Sequence, residues 1–169
     1  MSGRLRMLLA ASINKPTIHM EHNDTWSDRL SGILAEFGCQ TGTLHRTLPD
    51  GQTLTLVCQL GVPEFLLEKI SLIPFGKGIA GAAAERREPV ELCNLQQDPG
   101  GVAKPDARKT GVSGSLAVPV FALDSDQVIG TLGIGMVAPH EFTPEEKRRL
   151  EELAREIAVI FQHKAPCGD

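Results

Sequence analysis

Between Ser115 and Val137 two apolar runs flank the polar tetrapeptide Asp124-Ser-Asp-Gln127. A connection that short permits only an antiparallel return, because parallel neighbours need a crossover of a dozen or more residues. On the return run Leu132, Ile134 and Met136 fall on one side, while Thr131, Gly133 and Gly135 fall on the other. Successive strand side chains point to opposite faces, so alternate glycines strip one face bare. A packed helix or a ligand must approach the backbone there.

A second hairpin is written earlier, around Pro49-Asp50-Gly51. Leu44, Arg46 and Leu48 precede the turn, and Leu54, Leu56, Cys58 and Leu60 follow it. A type I turn with Gly51 in the left-handed conformation would put these even-numbered residues on one buried face. Arg46 is the misfit, expected near the edge of that face.

Helices bracket the strands. Ser27 is expected to cap a helix carrying Leu30, Ile33, Leu34 and Phe37, ended by Gly38. Thr143-Pro-Glu-Glu146 is a capping box with proline at the first helical position. Leu150, Leu153, Ala154, Ile157, Ala158 and Phe161 then follow helical spacing, with Val159 and Ile160 forming a second apolar facet suited to a partner helix. Between the hairpins, Pro63 opens a short helix, residues 71–75 are extended, Gly78 to Arg87 is a short alanine-rich helix, and Pro89 to Cys93 is a strand. Asn94 to Gly111 is a long polar loop, of the kind that compact domains keep for function. Two hairpins and a lone strand with helices give an α+β layer fold.

The chain has 169 residues, room for one domain, here residues 25–164. Residues 1–24 are expected as an arm or short helix, and 165–169 as a tail. A formal net charge of −4 argues against a nucleic-acid partner gripped by a broad basic face. No apolar run nears the roughly 20 residues of a membrane span, and Met7 to Ile13, at the short end of a signal peptide's apolar stretch, is followed by Asn14-Lys-Pro16 where small residues should mark cleavage, so no signal peptide is expected. Cys39, Cys58, Cys93 and Cys167 show no CxxC spacing, so no zinc or redox pair is suggested and the compartment is expected to be cytoplasmic. His19, Glu21 and His22 have metal-ligand chemistry but lie on the arm without fixed geometry, and no metal or other cofactor is assigned.

Gly76-Lys-Gly-Ile-Ala-Gly81 matches G-x-G-x-x-G, with Asp98 near the distance of a ribose-binding acid. A dinucleotide site needs a strand, a full crossover helix and a parallel strand after it. Pro74, a helix of about ten residues and hairpins downstream supply none of these. The glycines are better read as a sharp strand-to-helix turn with close packing at Gly81, while Lys77 at the helix start remains a weak candidate for holding an anion.

The run Ile73-Pro-Phe-Gly-Lys-Gly-Ile-Ala-Gly81, followed by Ser115-Leu-Ala-Val-Pro-Val120 and Val128-Ile-Gly-Thr-Leu-Gly133, resembles a GAF domain. The landmarks extend from Trp26 to Phe161. The resemblance implies a six-stranded antiparallel sheet with helices on one face and a loop-covered ligand pocket on the other. The pocket would lie under residues 94–111, lined by Cys93, Asn94, Lys104, Asp106, Arg108, Lys109, Ser113 and Ser115. Lys104, Arg108 and Lys109 would suit an anionic small molecule, against the plainer reading of a solvated loop. Thr131, Gly133 and Gly135 are expected to accommodate the helices rather than the pocket.

One branch of the family, the free methionine-(R)-sulfoxide reductases, is enzymatic. It has cysteines where this chain has Ile70, Ala80 and Lys104, and acids where this chain has Ser115, Gly133 and Gly135. Sulfoxide reduction needs an attacking and a resolving thiol. Cys58 and Cys93 lie elsewhere and read as small core residues. Of the cyclic-nucleotide pattern only Asn94 is present, and His45, His140 and His163 form no catalytic constellation. The expectation is a stand-alone, non-catalytic sensory or regulatory domain, homodimeric through its first and last helices. A reductase-like enzyme and a ligand-free interaction module are the alternatives.

Overall fold

A computed structural model describes residues 25–94 and 111–163. The elements are α1 (Trp26–Phe37), β1 (Thr41–Thr47), β2 (Thr53–Leu60), α2 (Glu64–Ser71), β3 (Leu72–Pro74), α3 (Gly78–Arg86), β4 (Val90–Leu92), β5 (Gly114–Phe121), β6 (Val128–Met136) and α4 (Pro144–His163). The six strands form one sheet in the order β3-β2-β1-β6-β5-β4. Every neighbouring pair is antiparallel. The expected α+β architecture is what the chain builds.

Local chemistry explains the boundaries. Thr25, not Ser27, caps α1: the threonine hydroxyl accepts from the Asp28 N–H, and the Asp28 carboxylate accepts from the Thr25 N–H. Gly38 ends the helix at φ 66°. In α4 the expected capping box is present, with the Thr143 N–H donating to Glu146 at 2.8 Å and the Glu146 N–H to Thr143 at 3.1 Å. Gly51 sits at φ 68° in the β1–β2 turn, as the hairpin requires. At the Gly76 turn, a Cβ would meet the Glu85 carboxylate at 2.7 Å. Among the described residues no strand pair is parallel, so the dinucleotide reading of the glycine run fails.

The long helices α1 and α4 cover one sheet face. Leu44 of β1, Leu116, Val118 and Val120 of β5, and Leu132 and Ile134 of β6 meet Leu30, Ile33 and Leu34 of α1 and the α4 stripe from Leu150 to Phe161. The helices are not confined to that face, however. The short α3 packs Ala82 and Ala83 on Val90 and Ala117, and sets Ala84 against Leu54 and Val128, on the opposite side. Its alanines let it lie close to the sheet without side-chain bulk.

The even-numbered pattern of the first hairpin breaks at a bulge. Leu44 pairs with Cys58, but His45 pairs with Leu56, leaving Val57 as the extra residue. Cys58 and Leu60 therefore join the α1–α4 core, whereas Leu54 turns to the α3 side. Arg46 is half-buried at the next-to-last position of β1, near the end of that face as expected. It lies on the central strand β1 and reaches the last turn of α4, where it donates to the Phe161 carbonyl at 2.9 Å and sits 4.9 Å from that ring's centre. Ile160 is buried, so of the supposed second facet of α4 only Val159 remains exposed. The expected arm, residues 1–24, and the tail, residues 165–169, lie outside the described residues.

Candidate functional site

On the face opposite α1 and α4, the first turn of α3 stands over β1, β6 and β5 and borders an open pocket of about 110 Å³. Its sheet side is formed by Thr41 and Thr43 of β1, Ser115 of β5 and Gly133 of β6, and its helix side by Ile79 and Ala80. Strand pairing creates this grouping. Thr43 lies opposite Gly133, and Thr41 and Ser115 lie opposite Gly135 from either side. A Cβ on Gly133 would come within 2.9 Å of the Thr43 hydroxyl, and one on Gly135 within 2.5 Å of the Thr41 hydroxyl. The bare backbone of β6 thus leaves room for two threonine side chains beside it.

That geometry corrects the assignment of the glycine face. Thr131, Gly133 and Gly135 do not serve the long helices, which lie behind the sheet. Gly133 lines the pocket, Gly135 is met by Thr41 and Val112, and Thr131 is buried on the same face.

Of the eight residues proposed for the pocket, Ser115 is in its lining; its hydroxyl lies 3.3 Å from the Ile134 carbonyl, to which it donates. Ser113, two residues earlier, is buried, with its N–H donating to the Met136 carbonyl at 2.7 Å, but it does not line the pocket. Asn94 is half-buried at the end of the β4 segment and is also outside the lining. Lys104, Asp106, Arg108 and Lys109, and the anionic ligand they would recognise, lie outside the described residues. Thr41 and Thr43 are pocket-lining positions that the sequence reading did not single out. Their signal was the alternation Thr41, Thr43, His45, Thr47 on the polar side of β1.

No ionisable side chain lines the pocket among the described residues. Its polar equipment is three hydroxyls and the backbone of β1 and β6, which can orient a small polar molecule but supply no charge. At the positions compared with the reductases, Ala80, Ser115 and Gly133 line the pocket. Ile70 lies instead in α2, where its carbonyl accepts from His45 Nε2 at 2.9 Å. Lys104 is outside the described residues.

The surroundings of the described thiols all favour the protonated form. Cys39 is buried in the core, and that burial, with the nearby Glu146 charge, pushes it up to about 11. Burial also pushes Cys58 up. Cys93 is exposed rather than a core residue. Desolvation, then the carboxylates of Glu91 and Glu141, raise its thiol, against a smaller opposite pull from Lys147. A thiolate is the nucleophilic form, so these surroundings oppose thiol chemistry. His140 is occupied by Glu146, at 3.0 Å, beside the α4 cap. Among the described residues no group of His, Cys, Asp or Glu could hold a metal ion, and no helix is long and apolar enough to cross a membrane.

The comparisons with known proteins agree with this architecture. The chain is similar to the GAF domain of a phosphoenolpyruvate-protein phosphotransferase from Coxiella burnetii, at 22% identity and TM-score 0.67 over 79% of this chain and 78% of that one. It is similar to a GAF domain/HD domain protein from Geobacter sulfurreducens, at 15% identity and TM-score 0.66 over 85% and 93% of the two chains. The free methionine-R-sulfoxide reductase from Neisseria meningitidis, solved with its substrate, matches at 19% identity and TM-score 0.61 over 79% and 73%. No curated protein sequence matches significantly. The GAF domain signature matches residues 24–162, which takes in the whole sheet and nearly all of α4. This chain belongs to the GAF domain family.

Proposed function

We propose that this chain is a non-catalytic sensory or regulatory GAF domain that binds a small polar molecule in the pocket between α3 and the sheet. The observation that carries the reading is the pocket itself, in which the described residues offer Thr41, Thr43 and Ser115 as hydroxyls and neither a charge nor a thiol. Such a site can bind and report, and its described residues pair no nucleophile with a base. Solved structures similar to this chain include a domain of a two-component sensor histidine kinase protein from Sinorhizobium meliloti, which supports a signalling role without naming the ligand.

A ligand that binds the folded state alone stabilises it by RT ln(1 + [L]/Kd), roughly 2.7 kcal/mol at a hundredfold excess. A thermal-shift screen across amino acids, organic acids and nucleotides tests this, with Gly133→Leu as the blocked-pocket control. A hit whose shift disappears in Gly133→Leu supports the reading. A flat screen, or shifts equal in both proteins, counts against it.

The likeness to a sulfoxide reductase favours one second reading, in which an exposed Cys93 takes part in turnover. The raised thiols argue the other way, and dithiothreitol-coupled reduction of free methionine sulfoxide decides it: turnover lost in Cys93→Ser would establish the enzyme. We also propose that two copies pair through α1 and α4. A groove of about 300 Å³ runs between these helices past Gly32, Ile33 and Leu153, and Val159 is 41% exposed on α4. A monomer by light scattering at high concentration would remove the pairing.

A further inference from the structure

The buried stripe of α4 is built mostly of large residues, but Ala154 is small. Beside it a recess of about 190 Å³ opens between the helix and the end of β5, larger than the pocket under α3. The pairing of β4 with β5 reaches Ala117, so among the described residues the edge of β5 beyond it has no strand alongside. Pro119 stands in that stretch without an N–H, which opposes extension of the sheet by an added strand. A bulge at Val120 and Phe121 then bends the chain, and the Leu123 N–H donates to the Gln162 side chain at 2.7 Å, tying this end of the recess to the last turn of α4. Pro119, Phe121 and Leu123 give the recess an apolar wall, in which Leu123 is 54% exposed.

Glu151 and Arg155, one turn apart on α4, also line it. Four residues apart with the acid first, they stand in the favoured order for pairing on a helix. Yet among the described residues neither makes an ion pair or a hydrogen bond, whereas their neighbours Lys147 and Arg149 pair with Glu91 and with Glu36 and Glu152. The apolar recess thus carries one unpaired charge of each sign. We propose that it is a binding site, separate from the pocket under α3, for a free α-amino acid with a large aliphatic or aromatic side chain. A cavity of about 150 Å³ holds a benzene ring, so such a side chain fits against Ala154 and the apolar wall. The Arg155 guanidinium donates to the ligand carboxylate, and the ligand ammonium donates to Glu151. A molecule with a single charge would be repelled by one of the two, an anion by Glu151 and a cation by Arg155. The other flank of α4, at Leu153, Glu156 and Ile157, lines the groove proposed for pairing, so a dimer of that kind leaves the recess open.

The test is a proton–nitrogen titration of the ¹⁵N-labelled full chain with L-leucine and with L-phenylalanine, carried to about 10 mM, roughly ten times a millimolar Kd. The expected result is saturable displacement of the amide signals of Leu123 and Arg155 by at least one of the two, with those of Ile79 and Gly133 unmoved. Arg155→Gln and Glu151→Gln, whose amide spectra verify folding, should each weaken binding about tenfold or more. Isocaproate, which lacks the ammonium of leucine, isoamylamine, which lacks its carboxylate, and glycine, which lacks its side chain, should each bind at least about tenfold more weakly than leucine or phenylalanine, whichever binds. No saturable displacement with either amino acid, displacement centred on Ile79 and Gly133, affinity unchanged in either variant, or an analogue that binds as well as the amino acid overturns the proposal. The readout is residue by residue, so failure at Leu123 and Arg155 is distinguishable from failure of the sensing reading at the pocket under α3.

Discussion

Replacing Arg46 by methionine tests whether the junction between the central strand and the end of α4 contributes to stability. The guanidinium donates to the Phe161 carbonyl at 2.9 Å and lies 4.9 Å from the centre of the Phe161 ring. A hydrogen bond from a charged donor contributes about 1.5–3 kcal/mol, and a partly exposed cation–π contact about 0.5–1 kcal/mol. Methionine keeps the apolar stem packed, which offsets part of the loss. The net expectation is a destabilisation of about 2–3 kcal/mol, or roughly 5–10 °C in Tm for a domain of this size. Arg46→Lys should lose less, because it keeps the charge but not the planar fork.

The chain contains its own reporter. Trp26, its single tryptophan, meets the Phe161 ring edge-on at 5.3 Å. Urea unfolding followed by Trp26 fluorescence and by far-ultraviolet circular dichroism should give coincident transitions in the wild type. Arg46→Met should lower the midpoint with an unchanged slope. A midpoint within about 0.5 kcal/mol of wild type would show that Arg46 is merely tolerated there, and the reasoning would fail.

Other outcomes follow from the same geometry. Burial, against a smaller upward pull from the Ile70 carbonyl, holds the His45 imidazole below its usual 6.5 in the fold. The folded protein therefore resists the proton: the stability associated with neutral His45 is complete above pH 6.5 and declines below it, by at most about 1.4 kcal/mol per pH unit until the folded pKa is passed. Unfolding free energies measured from pH 7.5 to 5.5 should converge between wild type and His45→Gln, and parallel curves would refute the assignment. Gly130→Ala places a Cβ 2.3 Å from the His45 carbonyl oxygen and 2.9 Å from the Phe161 ring, so a loss above about 3 kcal/mol or failure to fold is expected. Gly32→Ala on α1 meets nothing within 4 Å and should instead stabilise by about 0.5–1 kcal/mol in the same melts. Thr143→Ala removes one half of the α4 capping box and should cost about 1 kcal/mol by urea titration.

Much of the frame was legible because it is encoded locally. The Gly51 turn, the Gly38 stop, the Thr143–Glu146 box and the α4 stripe each depend on residues within a few positions of one another. The hairpin face was misread because one inserted residue, Val57, reverses the alternation, and a period of two carries no mark of an insertion. Ser27 and Thr25 are both acceptable caps, and the choice was decided by Asp28 standing three residues after threonine. The pocket was harder still. Thr41, Thr43, Ser115 and Gly133 meet only because β1 pairs with β6, and no local pattern announces that encounter. The glycine alternation was visible, but which layer of the domain faced it depended on where α3 comes to rest.

The position of β6 between β1 and β5 has a kinetic consequence. As the chain leaves the ribosome, β1 and β2 can form their hairpin early, but the other edge of β1 stays open until residues 128–136 have emerged. Closure of the sheet must then bring together segments some ninety residues apart, the kind of distant pairing that slows assembly. Until it happens, an unprotected strand edge is available to other nascent chains. Chains truncated before Val128 should therefore accumulate as aggregates rather than as smaller folded domains.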